Sequence, residues 1–130
     1  MQRGPTLFID RDLWSRRLDA ALREAGIPFA AHRELFADDM PDEEWIPEVG
    51  RRGFVVLTRD QQIRRRPNEL AAVRAARIHL FALTSGNLSA ADTALLCVAA
   101  WPAIARAVAS HPAPALFSIT RGAEVRWVKT

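Results

Sequence analysis

Short apolar segments that alternate with helical patterns restrict the fold of this sequence more than any other feature. The segments 7–9, 54–57 and 78–83 are predominantly apolar, which is typical of strands covered on both faces of a sheet. Helical patterns occupy 13–25, 68–76 and 89–110, and another helix is predicted from Asp42 to the region of Gly50 and Gly53. Strands and helices that alternate in this way predict an α/β fold with a mainly parallel sheet and helices on both faces.

The remaining segments complete this arrangement. A second strand is predicted at 27–31 and a loop at 33–41. Pro47 is expected to kink or shorten the helix that begins at Asp42. The segments 115–120 and 124–128 flank a turn and predict a terminal β-hairpin. We therefore expect a single domain over 1–130, with a core at about 6–110 and the hairpin at about 115–128.

Composition excludes several classes of protein. Of the 130 residues, 49% are hydrophobic and 25% are charged, which is enough apolar surface for one core. The single cysteine, Cys97, excludes an internal disulfide and cysteine-rich zinc sites. We expect no apolar run of the roughly 18–20 residues that a membrane helix needs, and no signal peptide. The expected location is the cytoplasm, without membrane contact.

Charged residues are segregated along the chain. Residues 34–48 include seven acids and no base, whereas residues 51–77 include eight arginines against two acids. An acidic block beside a basic block fits a metal site flanked by a surface that binds a polyanion. Two solvated faces would produce the same pattern, so charge alone does not decide between these interpretations.

Aspartates follow two of the predicted strands. Asp10 comes directly after the first strand, Asp60 follows the strand at 54–57, and Asp42 begins a helix. The carboxyl ends of parallel strands share one edge of the sheet, where α/β proteins form their sites. Carboxylates gathered there repel one another, and Mg²⁺ or Mn²⁺ would relieve the repulsion and activate water against a phosphodiester. Separate helix caps are the structural alternative for these acids.

Three families resemble this chain through an aspartate at the end of a first parallel strand. Asp10-Arg11-Asp12 is similar to the Asp-x-Asp motif of haloacid-dehalogenase-type phosphatases, and receiver domains of response regulators share the placement. Both families also need a lysine inside the fold. The only lysine here is Lys129, beside the end of the chain, which argues against both.

The third resemblance, to the PIN and PIN-like nuclease superfamily, extends over residues 6–110. The strand at 7–9 with Asp10, followed by LREAG at 22–26, resembles the N-terminal pattern of that superfamily. Asp42 opens a helix, and the strand GFVVLTRD ends 18 residues later at Asp60, as in the second signature of the superfamily. The segment TSGNLS at 84–89 is similar to PIN-like toxins of the VapC type.

This resemblance implies a three-layer PIN-like fold and a metal-dependent endoribonuclease that is the toxin of a type II toxin–antitoxin system. It makes Asp10, Asp42 and Asp60 the catalytic acids that coordinate Mg²⁺ or Mn²⁺. The implied partners are RNA and a cognate antitoxin, and the oligomeric state stays open, with a homodimer as one alternative. The superfamily carries a further acid, for which Asp12 and Glu44 are the candidates. Without that acid, a catalytically inactive module that binds RNA or protein is the alternative.

Polar side chains near the predicted site are candidates for contact with RNA. Arginine binds phosphate through bidentate hydrogen bonds, and hydroxyl and amide groups can bind the phosphate or a water molecule. The tryptophans are expected in the core or at an interface, with base stacking by Trp14 or Trp45 as the weaker alternative. The proposed substrate-binding residues are Arg59, Arg64, Arg65, Arg66, Ser85 and Asn87.

Overall fold

A six-stranded sheet forms the centre of the computed structural model, which describes residues 5–85 and 87–128 except for the side chain of Arg64. The strands are β1 (Leu7–Ile9), β2 (Phe29–Ala31), β3 (Val55–Thr58), β4 (His79–Leu83), β5 (Ala115–Ile119) and β6 (Val125–Val128). Their order in the sheet is β2-β1-β3-β4-β5-β6. The first five strands run parallel, and β6 pairs antiparallel with β5.

Five α-helices connect these strands within the described residues. They are α1 (Arg16–Glu24), α2 (His32–Leu35), α3 (Asp42–Arg51), α4 (Pro67–Ala76) and α5 (Ala90–Ser110), and a 3₁₀ turn spans Ile63–Arg65. Buried residues of α1 and α5 pack on one face of the sheet, and those of α3 and α4 pack on the other. The predicted α/β fold, with helices on both faces and a C-terminal hairpin, is confirmed.

Alternate residues of each central strand enter two separate cores. In β1, Leu7 and Ile9 belong to the core beneath α1 and α5, whereas Phe8 packs with α3 and α4. In β3, Leu57 and Val56 divide in the same way. All five side chains are fully buried. Because both faces are covered, these strands are apolar at every position rather than at every second one.

Three local expectations differ from the structure. The first helix begins later than position 13, because the Ser15 hydroxyl accepts a hydrogen bond from Leu18 N at 3.1 Å and caps α1. The predicted loop contains α2, where Glu34 Oε1 accepts a hydrogen bond from Ala31 N at 3.0 Å. Pro47 lies inside α3, which continues to Arg51, so the helix does not stop at the proline.

The apolar character of α5 also exceeds the expectation. This helix has 21 residues and a segment of mean hydropathy 1.5, so its length and composition would suit a membrane span. Alanine supplies much of that hydropathy. The side chains of Leu96, Cys97 and Ile104 are buried in the core that α5 shares with α1. Part of α5 therefore packs as a core helix, with 39% of its apolar segment buried.

Candidate metal centre

Three acidic side chains meet where the carboxyl end of β3 faces the first turns of α3 and α4. Asp42 is the first residue of α3, Asp60 lies two residues beyond β3, and Glu69 is in the first turn of α4. The three partly buried side chains each place one carboxylate oxygen within 4.8 Å of the other two. We refer to Asp42, Asp60 and Glu69 as the acidic triad. Their spacing would allow one cation to contact all three residues.

Asp10 ends β1 beside the acidic triad and is almost completely buried, with 5% of its surface exposed. Its carboxylate accepts hydrogen bonds from Arg11 N at 2.7 Å and from Thr58 Oγ1 at 2.8 Å. The Thr58 hydroxyl also accepts a hydrogen bond from Asp60 N at 3.0 Å. Burial raises the pKa of Asp10, although both hydrogen bonds to its carboxylate act in the opposite direction. Thr58 therefore ties Asp10 to the turn that carries Asp60.

Two further carboxyl groups have raised pKa values. Burial of the carboxyl group and the negative charges of Asp10 and Asp60 raise the pKa of Asp12 to about 6, although much of the Asp12 residue is exposed. Burial also raises the pKa of Glu69, and the neighbouring Asp42 raises it further. Burial is the main cause of these shifts, and the charges of neighbouring acids add to it. This edge of the sheet favours the binding of cations or protons.

Two arginines lie against the acidic triad. Arg66 Nη1 donates hydrogen bonds to Asp60 Oδ2 at 2.6 Å and to Glu69 Oε1 at 2.9 Å, and both contacts raise the pKa of Arg66. Arg11 Nη2 lies 3.6 Å from Asp42 Oδ1. Because the Arg66 and Arg11 side chains are about half and one third exposed, solvent screens these ion pairs and leaves them weak.

Asp42 is also oriented from inside the protein. The indole N–H of Trp45 donates a hydrogen bond to Asp42 Oδ1 at 2.9 Å, and Trp45 is fully buried in the core beneath α3 and α4. A buried indole has little freedom to rotate, so it holds the carboxylate in one direction. Trp45 thus packs in the core, as one of the two sequence-based alternatives expected, and also positions an acid of the site.

The donor set fits a hard divalent cation. The acidic triad and Asp10 offer only carboxylate oxygens, which Mg²⁺ and Mn²⁺ prefer over nitrogen or sulfur. Burial raises the pKa values of Asp10 and Glu69, and the neighbouring negative charge of Asp42 raises both further. A divalent cation would relieve the repulsion among these charges more effectively than two exposed guanidinium groups. The site is therefore chemically suited to Mg²⁺ or Mn²⁺.

The structure brings together some of the predicted acids and adds one that sequence reasoning missed. Asp42 and Asp60 belong to the acidic triad, whereas Asp10 and Asp12 lie outside it, where the charge of Asp42 acts on Asp10 and that of Asp60 acts on Asp12. Glu44 is exposed on α3 and is not a member. Glu69 was not predicted. Its signal in the sequence is an acid in the first turn of the helix that follows the Asp60 strand, just after a proline at its start.

The predicted substrate-binding arginines have different surroundings. Arg66 contacts the acidic triad as described above, and Arg65 is exposed in the 3₁₀ turn. Arg59 turns inward: its Nη2 lies 3.4 Å from Thr93 Oγ1, and its buried Nε has no hydrogen-bond partner among the described residues. The side chain of Arg64 lies outside the described part of the chain.

The two predicted uncharged contacts lie on the segment after β4. Ser85 Oγ accepts a hydrogen bond from Arg121 Nη2 at 3.2 Å. Asn87 is exposed and lines a surface groove with Leu88 and Asp92 at the start of α5. No hydrogen bond within the described residues joins either side chain to the acidic triad.

Comparison with known proteins identifies the class to which this fold and site belong. Residues 5–85 match the family model described as "PIN like domain", so the chain belongs to the PIN-like domain family. Among individual proteins, the chain is similar to one named "Putative ribonuclease VapC45" from Mycobacterium tuberculosis (strain ATCC 25618 / H37Rv). The two are 29% identical over 117 residues, which cover 87% of this chain and 84% of the relative. No solved structure gives a significant match.

Proposed function

We propose that this protein is a divalent-cation-dependent endoribonuclease and the toxin of a type II toxin–antitoxin system. The observation that carries the proposal is the acidic triad, in which three carboxylates approach within 4.8 Å of one another in a PIN-like domain. The similarity to a protein named as a ribonuclease supports RNA as the substrate.

In this proposal the acidic triad and Asp10 hold Mg²⁺ or Mn²⁺. When bound, the cation supplies Lewis-acid chemistry that neutralises the scissile phosphate and activates water. Asp12, whose carboxyl group lies within reach of the charges of Asp10 and Asp60, is proposed as the further acid that binds the cation. Water attacks phosphorus in line with the departing 3′ oxygen, which leaves a 5′-phosphate and a 3′-hydroxyl.

The RNA backbone is proposed to lie along the arginines beside the acidic triad. Arg66 is the nearest to the acids and would exchange its contacts with them for the substrate phosphate. Exposed Arg65 would contact a neighbouring phosphate. The other proposed substrate contacts are Arg59, Arg64, Ser85 and Asn87.

A cognate antitoxin is the proposed protein partner, and a homodimer in the cytoplasm is the proposed state of the toxin. We expect the antitoxin to cover the acidic edge and to insert a basic group near Asp10 and Asp60, because a cation there relieves the same repulsion as a metal ion. Expression of this chain alone should inhibit growth. Normal growth, together with purification from the native host without a small bound protein, would contradict the toxin role.

One observation favours a second function, that of a PIN-like module that binds RNA or protein without cutting. Arg66 bridges Asp60 and Glu69 through a single nitrogen and partly neutralises them. A site that kept this arrangement in the presence of Mg²⁺ would not hold the cation. RNA binding without divalent-dependent cleavage would establish this alternative.

RNA cleavage measured against Mn²⁺ and EDTA tests the proposal. The purified protein should cut RNA when Mn²⁺ is present and should stop when EDTA is added. Asp60→Asn should abolish cleavage while the circular dichroism spectrum stays unchanged. Glu43→Gln is the matched control, because Glu43 is exposed in the first turn of α3 and lies outside the acidic triad. Equal cleavage by Asp60→Asn and the parent would show that the site is assigned wrongly.

A further inference from the structure

An open groove lies next to the candidate metal centre on the side of β2. Its volume, including the part open to solvent, is about 790 Å³, and it is lined by Arg11, Trp14, Arg33, Phe36 and Asp38. Arg11 joins the groove to the metal centre, since the same guanidinium lies 3.6 Å from Asp42 and donates a hydrogen bond to Met40 O at 2.9 Å. A strand of RNA whose phosphate reached the acidic triad would therefore pass the mouth of this groove.

One wall of the groove is a stacked pair of flat side chains. The guanidinium carbon of Arg33 lies 4.3 Å from the centre of the Trp14 ring. The Trp14 indole is held in turn, because its N–H donates a hydrogen bond to Asp19 Oδ2 at 3.0 Å and Asp19 pairs with Arg23 at 2.6 Å. A cation stacked on an immobilised indole keeps its plane in a defined direction.

Apart from the Trp14 ring, the Arg33 guanidinium interacts with the charge of Asp19 at longer range. It is exposed, and no hydrogen bond or ion pair to it occurs within the described residues. Arginine planes are surfaces on which unstacked RNA bases pack, and stacked aromatic residues add to that contact. The half-buried ring of Phe36 supplies further apolar surface in the same groove.

We propose that this groove binds one unpaired RNA base next to the scissile phosphate, with the base stacked on the Arg33 guanidinium that Trp14 supports. This inference rests on the proposed ribonuclease function and adds a subsite to it. Beside its two arginines the groove has one acid, Asp38, so this part of the lining accepts hydrogen bonds from a base and repels a phosphate.

Asp38 also gives the subsite a preference among bases. A carboxylate only accepts hydrogen bonds, so it favours a base with adjacent N–H donors on its Watson–Crick edge. Guanine has two such donors, N1–H and the 2-amino group. Hypoxanthine, the base of inosine, retains N1–H but lacks the amino group. The subsite therefore prefers guanosine over inosine at the same position of the RNA.

Binding of short single-stranded RNA in EDTA tests the subsite without cleavage. The RNA spans a site that the parent cuts in Mn²⁺, and a set of variants each replaces one nucleotide near that site with an abasic one. For the parent, one abasic position should weaken binding by about tenfold. Arg33→Gln should weaken binding of intact RNA by a similar factor. Its affinity for the RNA with that abasic position should be only slightly lower than its affinity for intact RNA, because both changes remove the same contact.

Three protein variants separate stacking from charge and from folding. Arg33→Lys keeps the charge but removes the flat surface, so its affinity should resemble that of Arg33→Gln. Arg106→Gln removes an exposed arginine near the C-terminal end of α5. It should bind every RNA with nearly the affinity of the parent, apart from a small loss that is the same for all of them. Trp14→Phe retains a ring on which Arg33 can stack but loses the hydrogen bond to Asp19, so its affinity should lie between those of the parent and Arg33→Gln.

Several outcomes would overturn the subsite. One is that Arg33→Gln and Arg106→Gln bind intact RNA with the same affinity. Another is that the losses of affinity caused by Arg33→Gln and by the abasic nucleotide add in full at every position. The base preference would be refuted if the parent bound RNA with guanosine and RNA with inosine equally well and Asp38→Asn did the same. In these cases the parent still binds and cuts RNA, so only the subsite fails. A parent that binds no RNA would instead refute the proposed function and the subsite together.

Discussion

At the scale of single residues, the candidate metal centre depends on side chains that hold the acids rather than on the acids alone. The Thr58 hydroxyl connects Asp10 on β1 with the backbone of Asp60 beyond β3. Trp45 fixes Asp42 from within the core. Because these positioning groups are fully buried, the carboxylates are oriented before any cation arrives, which reduces the entropy lost on binding.

The first prediction concerns Glu69. Glu69→Gln should weaken Mn²⁺ binding by tenfold or more, because it removes one of the three carboxylates that lie within 4.8 Å of one another. Glu44→Gln is the matched control, since Glu44 is exposed on α3 outside the acidic triad. Electron paramagnetic resonance of free Mn²⁺ measures both affinities. A larger loss in Glu44→Gln than in Glu69→Gln would place the additional ligand on α3 instead.

The second prediction concerns pH. The pKa of Asp12 is about 6, and burial also raises those of Asp10 and Glu69, so protons compete with cations at this edge. Mn²⁺ affinity should therefore fall as the pH is lowered from 7.5 to 5.5, and Asp12→Asn should make this dependence shallower. Without metal, these carboxyl groups bind protons more tightly in the folded state than in the unfolded one. The free energy of unfolding should therefore increase as the pH falls through about 6. Mn²⁺ affinity that does not change over this range would contradict the assignment.

At the scale of elements, the sequence was sufficient to predict most of the architecture. Apolar runs marked the parallel strands, and the rule that their carboxyl ends share an edge applied to Asp10 and Asp60. Asp42 begins a helix, and the family resemblance supplied its role. Glu69 escaped prediction because its position depends on how α4 packs against α3, which no local pattern encodes. The contacts of Arg66 with the acids have the same origin, since they require a 3₁₀ turn to fold back over the end of β3.

The packing of α3 against α4 can be tested at Gly50. A Cβ atom at this position would lie 2.6 Å from Ala76 O and 2.8 Å from Ala76 Cβ, so the helices must separate to admit it. Gly50→Ala should lower the free energy of unfolding by roughly 1–3 kcal/mol, as overpacking does elsewhere.

Gly122→Ala is the control for this substitution, because a Cβ there meets only Thr120 Oγ1 at 3.9 Å. Urea denaturation measures both variants. If Gly50→Ala is as stable as Gly122→Ala, α3 and α4 do not approach each other as the structure describes.

At the scale of the whole molecule, acidic and basic regions adjoin at one edge of the sheet although the net charge is only +3. The acidic triad draws carboxylates from α3, from the segment after β3 and from α4. A cation that bound there would connect three parts of the chain and would favour the folded state over the unfolded one. Metal binding should therefore increase the free energy of unfolding.

Thermal unfolding in Mn²⁺ checks this consequence. At a free Mn²⁺ concentration about 100 times the dissociation constant, the folded state should gain about 2.7 kcal/mol and the midpoint of unfolding should rise. Asp60→Asn should show little or no increase, whereas Glu43→Gln should respond as the parent does. An increase that is equal in all three proteins would indicate that Mn²⁺ binds outside the acidic triad.

Mapping the chemical ends of the cut RNA tests the central claim most directly. The parent is incubated with total RNA in Mn²⁺ and in EDTA, and the Asp60→Asn variant is incubated with it in Mn²⁺. The new 5′ ends are captured by ligation that requires a 5′-phosphate. We predict that new 5′-phosphate ends, each beside a fragment with a 3′-hydroxyl, appear only with the parent in Mn²⁺. Cleavage that persists in EDTA or in Asp60→Asn, or that leaves a 2′,3′-cyclic phosphate, would contradict hydrolysis at the acidic triad.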